Sequence, residues 1–237
     1  MNKKIRIFSI IILAAMVMAM AACTTGPYQT REEDVSGFSR ISIETFGEII
    51  IEQGETESLT IEAPRDFLRY ITAEVEDGTL VIGTRRGFVG APVQRVTFTI
   101  NVINLEEISL SGAGAIKVLA LETDDFFANL SGAGSIEIDN LTAEDLNVNL
   151  SSAGAIVIAG KAQSQSVNLS GVGSYEAGDL ETASADVNLS GAGSAVVWVT
   201  DSLDVNVSGI GSVSYYGDPI VDQNVSGLGS VNSKGER

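Results

Sequence analysis

A seven-residue phrase recurs seven times and limits the fold more than any other feature of the chain. It reads LSGAGAI at 110–116, LSGAGSI at 130–136, LSSAGAI at 150–156, LSGVGSY at 169–175 and LSGAGSA at 189–195. It closes as VSGIGSV at 207–213 and VSGLGSV at 225–231. Successive copies are 20, 20, 19, 20, 18 and 18 residues apart. So regular a period predicts a solenoid, in which each repeat is one coil that buries its apolar face only against its neighbours.

The residues around the phrase show how a coil forms. Val148-Asn149-Leu150, Val167-Asn168-Leu169 and Val187-Asn188-Leu189 alternate before the serine, and Ile116/Val118, Ile136/Ile138 and Ile156/Ile158 alternate after it. Period two means two short strands per repeat, aliphatic inward and polar outward. Glycine in the joining Ser-Gly-x-Gly admits the positive φ that other residues resist. Stacked in parallel about 4.8 Å apart, seven coils make a prism about 34 Å tall. We read the second glycine of each copy (Gly114, Gly134, Gly154, Gly173, Gly193, Gly211 and Gly229) as the conformationally obligatory one. Ser152 replaces the first glycine in one copy. It is strained there if that position needs positive φ; otherwise the first glycine serves close backbone approach.

Residues 38–105 lack the phrase but are rich in strand patterns, and are expected to form irregular opening coils that cap the 106–237 repeat region in one domain, 38–233. Pro64 can open a helical turn over Arg65–Tyr70, Asp77-Gly78 signals a two-residue hairpin, and Gly87 to Pro92 reads as an exposed loop. At the far end Lys234, Glu236 and Arg237 place charge on the last edge, a guard against end-to-end stacking.

Residues 1–22 read as an export signal: Lys3, Lys4 and Arg6, then an uncharged apolar run from Ile7 to Met20, then Ala21 and Ala22. The chain's one cysteine, Cys23, follows. Met20-Ala21-Ala22-Cys23 resembles the bacterial lipoprotein lipobox, with Met20 where that family prefers leucine. The resemblance implies cleavage before Cys23 and acylation of it, with several acyl chains giving a stable membrane anchor. Residues 23–37 lack periodicity and are expected to be the acylated cysteine and a flexible tether. Loss of the signal removes three of the 14 basic residues and none of the 31 acidic ones, so 11 stand against 31, a net charge of −20. Such a polyanion has no electrostatic reason to bind nucleic acid.

Composition also limits the chemistry. The chain has no histidine, which removes Ser-His-Asp and Cys-His catalysis and nearly every zinc site. No metal or cofactor is expected. The serines of the phrase recur coil after coil without a base, as a stacked ladder would. Carboxylates at Asp124-Asp125 and Glu144-Asp145 fall at connecting corners, where acids are ordinary turn residues. Asn129, Asn149, Asn168, Asn188, Asn206 and Asn224 hold one position in six coils. They predict a ladder of amides each bonding the next, or a strip of amides that reads a sugar. Trp198 and Tyr216 take the same outward position on adjacent coils, with Gly178 there one coil earlier. They are either an exposed pair able to grip a sugar ring or a partner, or a pair covered by a following segment.

Taken together, the Ser-Gly-x-Gly corners, the opening Phe38-x-x-Ile41-x-Ile43 and the ending Tyr215-Tyr216-Gly217-Asp218-Pro219 before Val225–Val231 resemble the head GIN domain of auto-transporter adhesins. The resemblance covers about 38–233 and implies a right-handed parallel β-helix on an exported or lipid-anchored bacterial envelope protein, with no catalytic residues. The expected function is a non-catalytic, adhesin-like envelope lipoprotein that binds a glycan or an envelope protein. A structural spacer is the alternative and a polysaccharide-acting β-helix enzyme a third reading.

Overall fold

The computed structural model describes residues 27–85 and 95–237. The signal-like segment, Cys23 and the Gly87–Pro92 loop lie outside them. In chain order the elements are β1 (Tyr28–Glu33), β2 (Arg40–Ile43), β3 (Phe46–Gln53), β4 (Ser58–Pro64), α1 (Arg65–Leu68), β5 (Ile71–Glu76), β6 (Thr79–Thr84) and β7 (Thr97–Val102). The repeat region follows as β8 (Glu107–Leu110), β9 (Ala113–Val118), β10 (Leu121–Glu122), β11 (Asp125–Leu130), β12 (Ala133–Leu150), β13 (Gly154–Leu169) and β14 (Ser174–Leu189). It ends with β15 (Ala192–Val207), β16 (Ile210–Tyr216), β17 (Ile220–Val225) and β18 (Leu228–Ser233).

These strands stack in parallel as a β-solenoid, and the glycine corners line up in one column: Gly114, Gly134 and Gly154 face one another across β9, β12 and β13, and Gly193, Gly211 and Gly229 across β15, β16 and β18. The inward residues stack as the alternation predicts. One column runs Ile116, Ile136, Ile156, Tyr175, Ala195 and Val213, all with 1% exposure or less.

The coils from β10 to β14 have a third side as well as the two expected from sequence. Leu121 faces Leu141, Leu141 faces Gly160, and Gly160 faces Leu180. The third side also absorbs the changes in repeat length. The 19-residue step loses one residue between Ile138 and Leu141, opposite Gly160 at φ 128°. A side chain there would also collide with the Leu141 carbonyl, 2.1 Å from the site of a Cβ. At the next change, Ala177 pairs Val197 and Glu181 pairs Trp198, so Gly178, Asp179 and Leu180 have no partner in the coil above. The solenoid narrows there and leaves a ledge.

The glycine corners correct one expectation. Among the seven second glycines only Gly134 has φ in the positive range, at 153°. The shared reason for glycine is contact: a Cβ on Gly191 would lie 2.0 Å from the Gly171 carbonyl oxygen, and one on Gly211 1.9 Å from that of Gly193. Real side chains do not tolerate such approaches, so both glycines of the phrase are held by the backbone beneath. Ser152 is therefore not strained through φ. In six copies the first-glycine N–H and the N–H after it each bond a carbonyl of the coil below; around Ser152 these two bonds are missing, and its hydroxyl bonds the Leu130 carbonyl at 3.3 Å.

The opening segment does cap the stack, by an unexpected route. The coil made by β2 and β3 lies between two later ones: Ile41 faces both Leu80 and Ile108, and Ile49 faces both Phe98 and Ile116. Its corner, Ile43-Glu44-Thr45-Phe46-Gly47-Glu48-Ile49, is a degenerate further copy of the phrase, with Gly47 opposite Gly114. Thr45 replaces the first glycine and is buried, its Oγ1 2.6 Å from that of Thr84. Antiparallel strands finish this end. β5 pairs β6 through a turn at Asp77 (φ 48°) and Gly78 (φ 75°), as the hairpin signal predicts; on the other face β4 pairs β7, and β1 pairs β4. The helical turn expected after Pro64 is α1.

β1 also overturns part of the tether reading. Residues 28–33 form a strand in register with β4, and Arg31 reaches across to donate to the Leu68 carbonyl at 2.7 Å and the Ile71 carbonyl at 3.1 Å. The charges that suggested a solvated linker lie on an outer edge strand, where charged residues suit an exposed edge.

Candidate functional site: an open trough and an aromatic corner

The third side and its flanking corners form a trough that runs along the solenoid axis. Its lower part encloses about 1050 Å³ and its upper part about 620 Å³, and both are lined by Thr142, Ala143 and Glu144. The acidic corners of the sequence shape its wall. The Asp124 carbonyl accepts bonds from the Glu144 and Asp145 N–H groups at 2.9 and 3.0 Å, and the Thr123 N–H donates to the Thr142 carbonyl at 3.0 Å. Gln53 clamps the lower end, donating to the carbonyls of Ile103 and Glu122 and accepting from the Glu122 N–H at 2.8 Å.

The lining is strongly one-signed. Glu106, Glu122, Asp124, Asp125 and Glu144 border the lower part; in the upper part Lys161 lies 3.2 Å from Glu181. Phe127 and Ile103 add exposed apolar surface, at 37% and 44%. Sequence reading placed the acids at corners but missed the trough, because its lining is gathered from several coils, from Gln53 and Ile103 through Glu122 to Glu144, and meets only once they stack.

The asparagines stack as predicted. Asn129 faces Asn149, Asn149 faces Asn168, and the register continues through Asn188 and Asn206 to Asn224. Their bonding departs from a continuous amide ladder. Only Asn224 donates to the next amide, at 3.5 Å, while Asn188 and Asn206 turn to Asp186 and Asp204 two residues earlier on their own strands, at 2.6 and 3.2 Å. A carboxylate forms the stronger, charge-assisted bond and wins the amide. Asn129 bonds Ser109 at 3.1 Å.

Trp198 and Tyr216 are register partners on β15 and β16, and both are half-buried. The tail covers them, which is the second of the two expected outcomes. The Arg237 guanidinium lies over both rings, 5.6 Å from the Trp198 centroid and 5.3 Å from that of Tyr216, and pairs with Asp179 on the ledge. Lys234 lies 5.3 Å from the Tyr216 centroid. Two of the three charges expected to guard the last edge, Lys234 and Arg237, therefore fold back onto the aromatic corner.

Behind this corner the core holds a polar chain that sequence reading did not anticipate. The Tyr175 hydroxyl donates to Gln165 Oε1 at 3.0 Å, Gln165 Nε2 donates to Thr182 Oγ1 at 2.8 Å, and Thr182 Oγ1 donates to the Trp198 carbonyl at 2.9 Å. Burial pushes the Tyr175 phenol well above its ordinary 10.0. The available signal was a double break in one coil, where Gln165 and Tyr175 interrupt otherwise aliphatic inward columns.

Comparison with known proteins agrees with this architecture. The family described as "putative auto-transporter adhesin, head GIN domain" matches residues 37–219. A putative adhesin from Bacteroides fragilis superposes with a TM-score of 0.85 at 29% identity, covering 87% of this chain and 97% of that one. A putative lipid binding protein from Parabacteroides distasonis superposes at 0.70 with 25% identity, covering 88% and 97%. A putative adhesin from Parabacteroides merdae, at 22% identity and 0.69, covers 88% and 96% and shares the fold. No curated protein matches the sequence.

Proposed function

From the premise that this chain belongs to the head GIN domain family, we propose that it is a non-catalytic, adhesin-like binding module of the bacterial envelope, anchored by lipid on Cys23. The observation that carries the reading is the trough: an open channel spanning several coils suits an extended polymer lying along the axis, held by many weak contacts. Its carboxylates favour a neutral or cationic glycan or peptide over an anionic one. The exposed apolar surface of Phe127 and Ile103 is ringed by carboxylates, a poor bed for an acyl chain, so the lipid-binding name of the P. distasonis relative is not transferred to the trough.

Biolayer interferometry of the full chain against immobilised chitosan oligomers, a cationic glycan, tests the trough. Binding is expected to weaken about tenfold in a Glu122→Gln, Asp124→Asn, Glu144→Gln triple variant, and to fall with added salt as screening shortens the range of the carboxylates. Binding that ignores the triple variant, or release of shortened oligomers, would overturn the reading. For the anchor, intact mass of the protein from a bacterial host should show acylated Cys23, and Cys23→Ala should move it from the membrane to the soluble fraction.

A further inference from the structure

The aromatic corner is built by three coils and filled by a side chain that the coils do not hold. Asp179 comes from the ledge, where it pairs with Ala159 of the coil below, Trp198 from the coil above and Tyr216 from the next. Strand register fixes all three. Gly178 forms the floor, where a Cβ would lie 3.2 Å from Tyr216 Cε2, 3.2 Å from Val196 Cγ1 and 3.4 Å from Arg237 Nη1. Glycine at the ledge thus lets both the ring and the guanidinium come down to the backbone.

The occupant is attached differently. The last backbone bonds of the tail among the described residues are Lys234 N–H to the Tyr215 carbonyl at 2.8 Å and Gly217 N–H to the Gly235 carbonyl at 3.0 Å. Beyond them Arg237 is held by its side chain alone, through two ring faces and one carboxylate.

We propose that Trp198, Tyr216 and Asp179 form a preformed site for a guanidinium group, which takes an exposed arginine from a partner protein when Arg237 leaves. The combination selects arginine by shape. A planar guanidinium can lie against two rings while forking to a carboxylate, whereas an ammonium is a point charge with no face to stack. The site lies apart from the trough and does not depend on the trough's ligand.

Trp198 is the chain's only tryptophan, so its emission reports this site directly. The full chain and its Arg237→Ala and Arg237→Gln variants are titrated with end-blocked tetra-arginine, tetra-lysine and cellohexaose. Tetra-arginine is expected to shift Trp198 emission in both variants, with a dissociation constant about three- to tenfold below that of the unaltered chain, where tethered Arg237 competes at an effective concentration in the millimolar range. Asp179→Asn in the Arg237→Ala background should weaken tetra-arginine at least about threefold, with the far-ultraviolet strand signal unchanged. Three results would overturn the proposal: emission unmoved by tetra-arginine in both vacated variants, tetra-lysine binding equally well, or a response to cellohexaose alone, which would make the corner a sugar platform.

Discussion

The glycines of the phrase show how a residue can be fixed by its neighbour in the next coil rather than by its own dihedral angles. A methyl group on Gly209 would sit 1.9 Å from the Gly191 carbonyl oxygen. Gly209→Ala must therefore push two coils apart, at a cost of about 1–3 kcal/mol from overpacking. Urea denaturation should show that loss, while Ser152→Gly, which restores the usual residue, should leave stability within about 1 kcal/mol. Tyr175 gives a second prediction at this scale. Its phenol is buried and its folded pKa is raised above the ordinary 10.0. The unfolded chain then holds fewer protons above pH 10, so folding stability is intact below that value and falls as pH rises past it. The slope approaches about 1.4 kcal/mol per pH unit for one proton. Denaturation midpoints measured from pH 8 to 11 should show this fall in the native chain and a shallower one in Tyr175→Phe.

Among the elements, β1 decides how the lower end is finished. It covers the outer edge of β4 and brings Arg31 to the carbonyls of Leu68 and Ile71, one at the end of α1 and one at the start of β5. Arg31→Ala removes both bonds and leaves two carbonyls of the cap without these donors, a loss of about 1–3 kcal/mol. Hydrogen exchange should localise the loss to β4, α1 and the β5–β6 hairpin and spare β13 and β14. Exchange throughout the repeats instead would mean that the cap and the coils unfold as one unit.

Across the whole molecule the two ends are unequal. The lower end is closed by antiparallel strands, while β17 and β18, among the described residues, each pair on one side only and expose Ile220 and Leu228 at 82% and 81%. A solenoid's stability is the sum of its coils and their interfaces, so the coil with one interface opens first. The narrowing between β14 and β15 also belongs to this scale: it leaves three residues of the lower coil without a partner above and creates the ledge beneath Trp198 and Tyr216.

The sequence by itself determined the coil, the parallel stack, the inward columns and the common register of the six asparagines, because a fixed period permits only one way for alternating residues to meet. It also located the hairpin at Asp77-Gly78, the turn after Pro64 and the pairing of Trp198 with Tyr216. It could not place β2 and β3 between later coils, since Thr45 and Phe46 disguise the phrase at that corner and 20-residue spacing is lost there. Tertiary structure alone decided why the corners are glycine, which way each asparagine turns, that residues 28–33 are strand, and where a trough opens. The glycine contacts and the trough depend on atoms one coil away in space but about twenty residues away in sequence, whose distance only stacking sets. The first strand waits on its partner β4, and the asparagines on a choice between a carboxylate two residues back and the amide of the neighbouring coil.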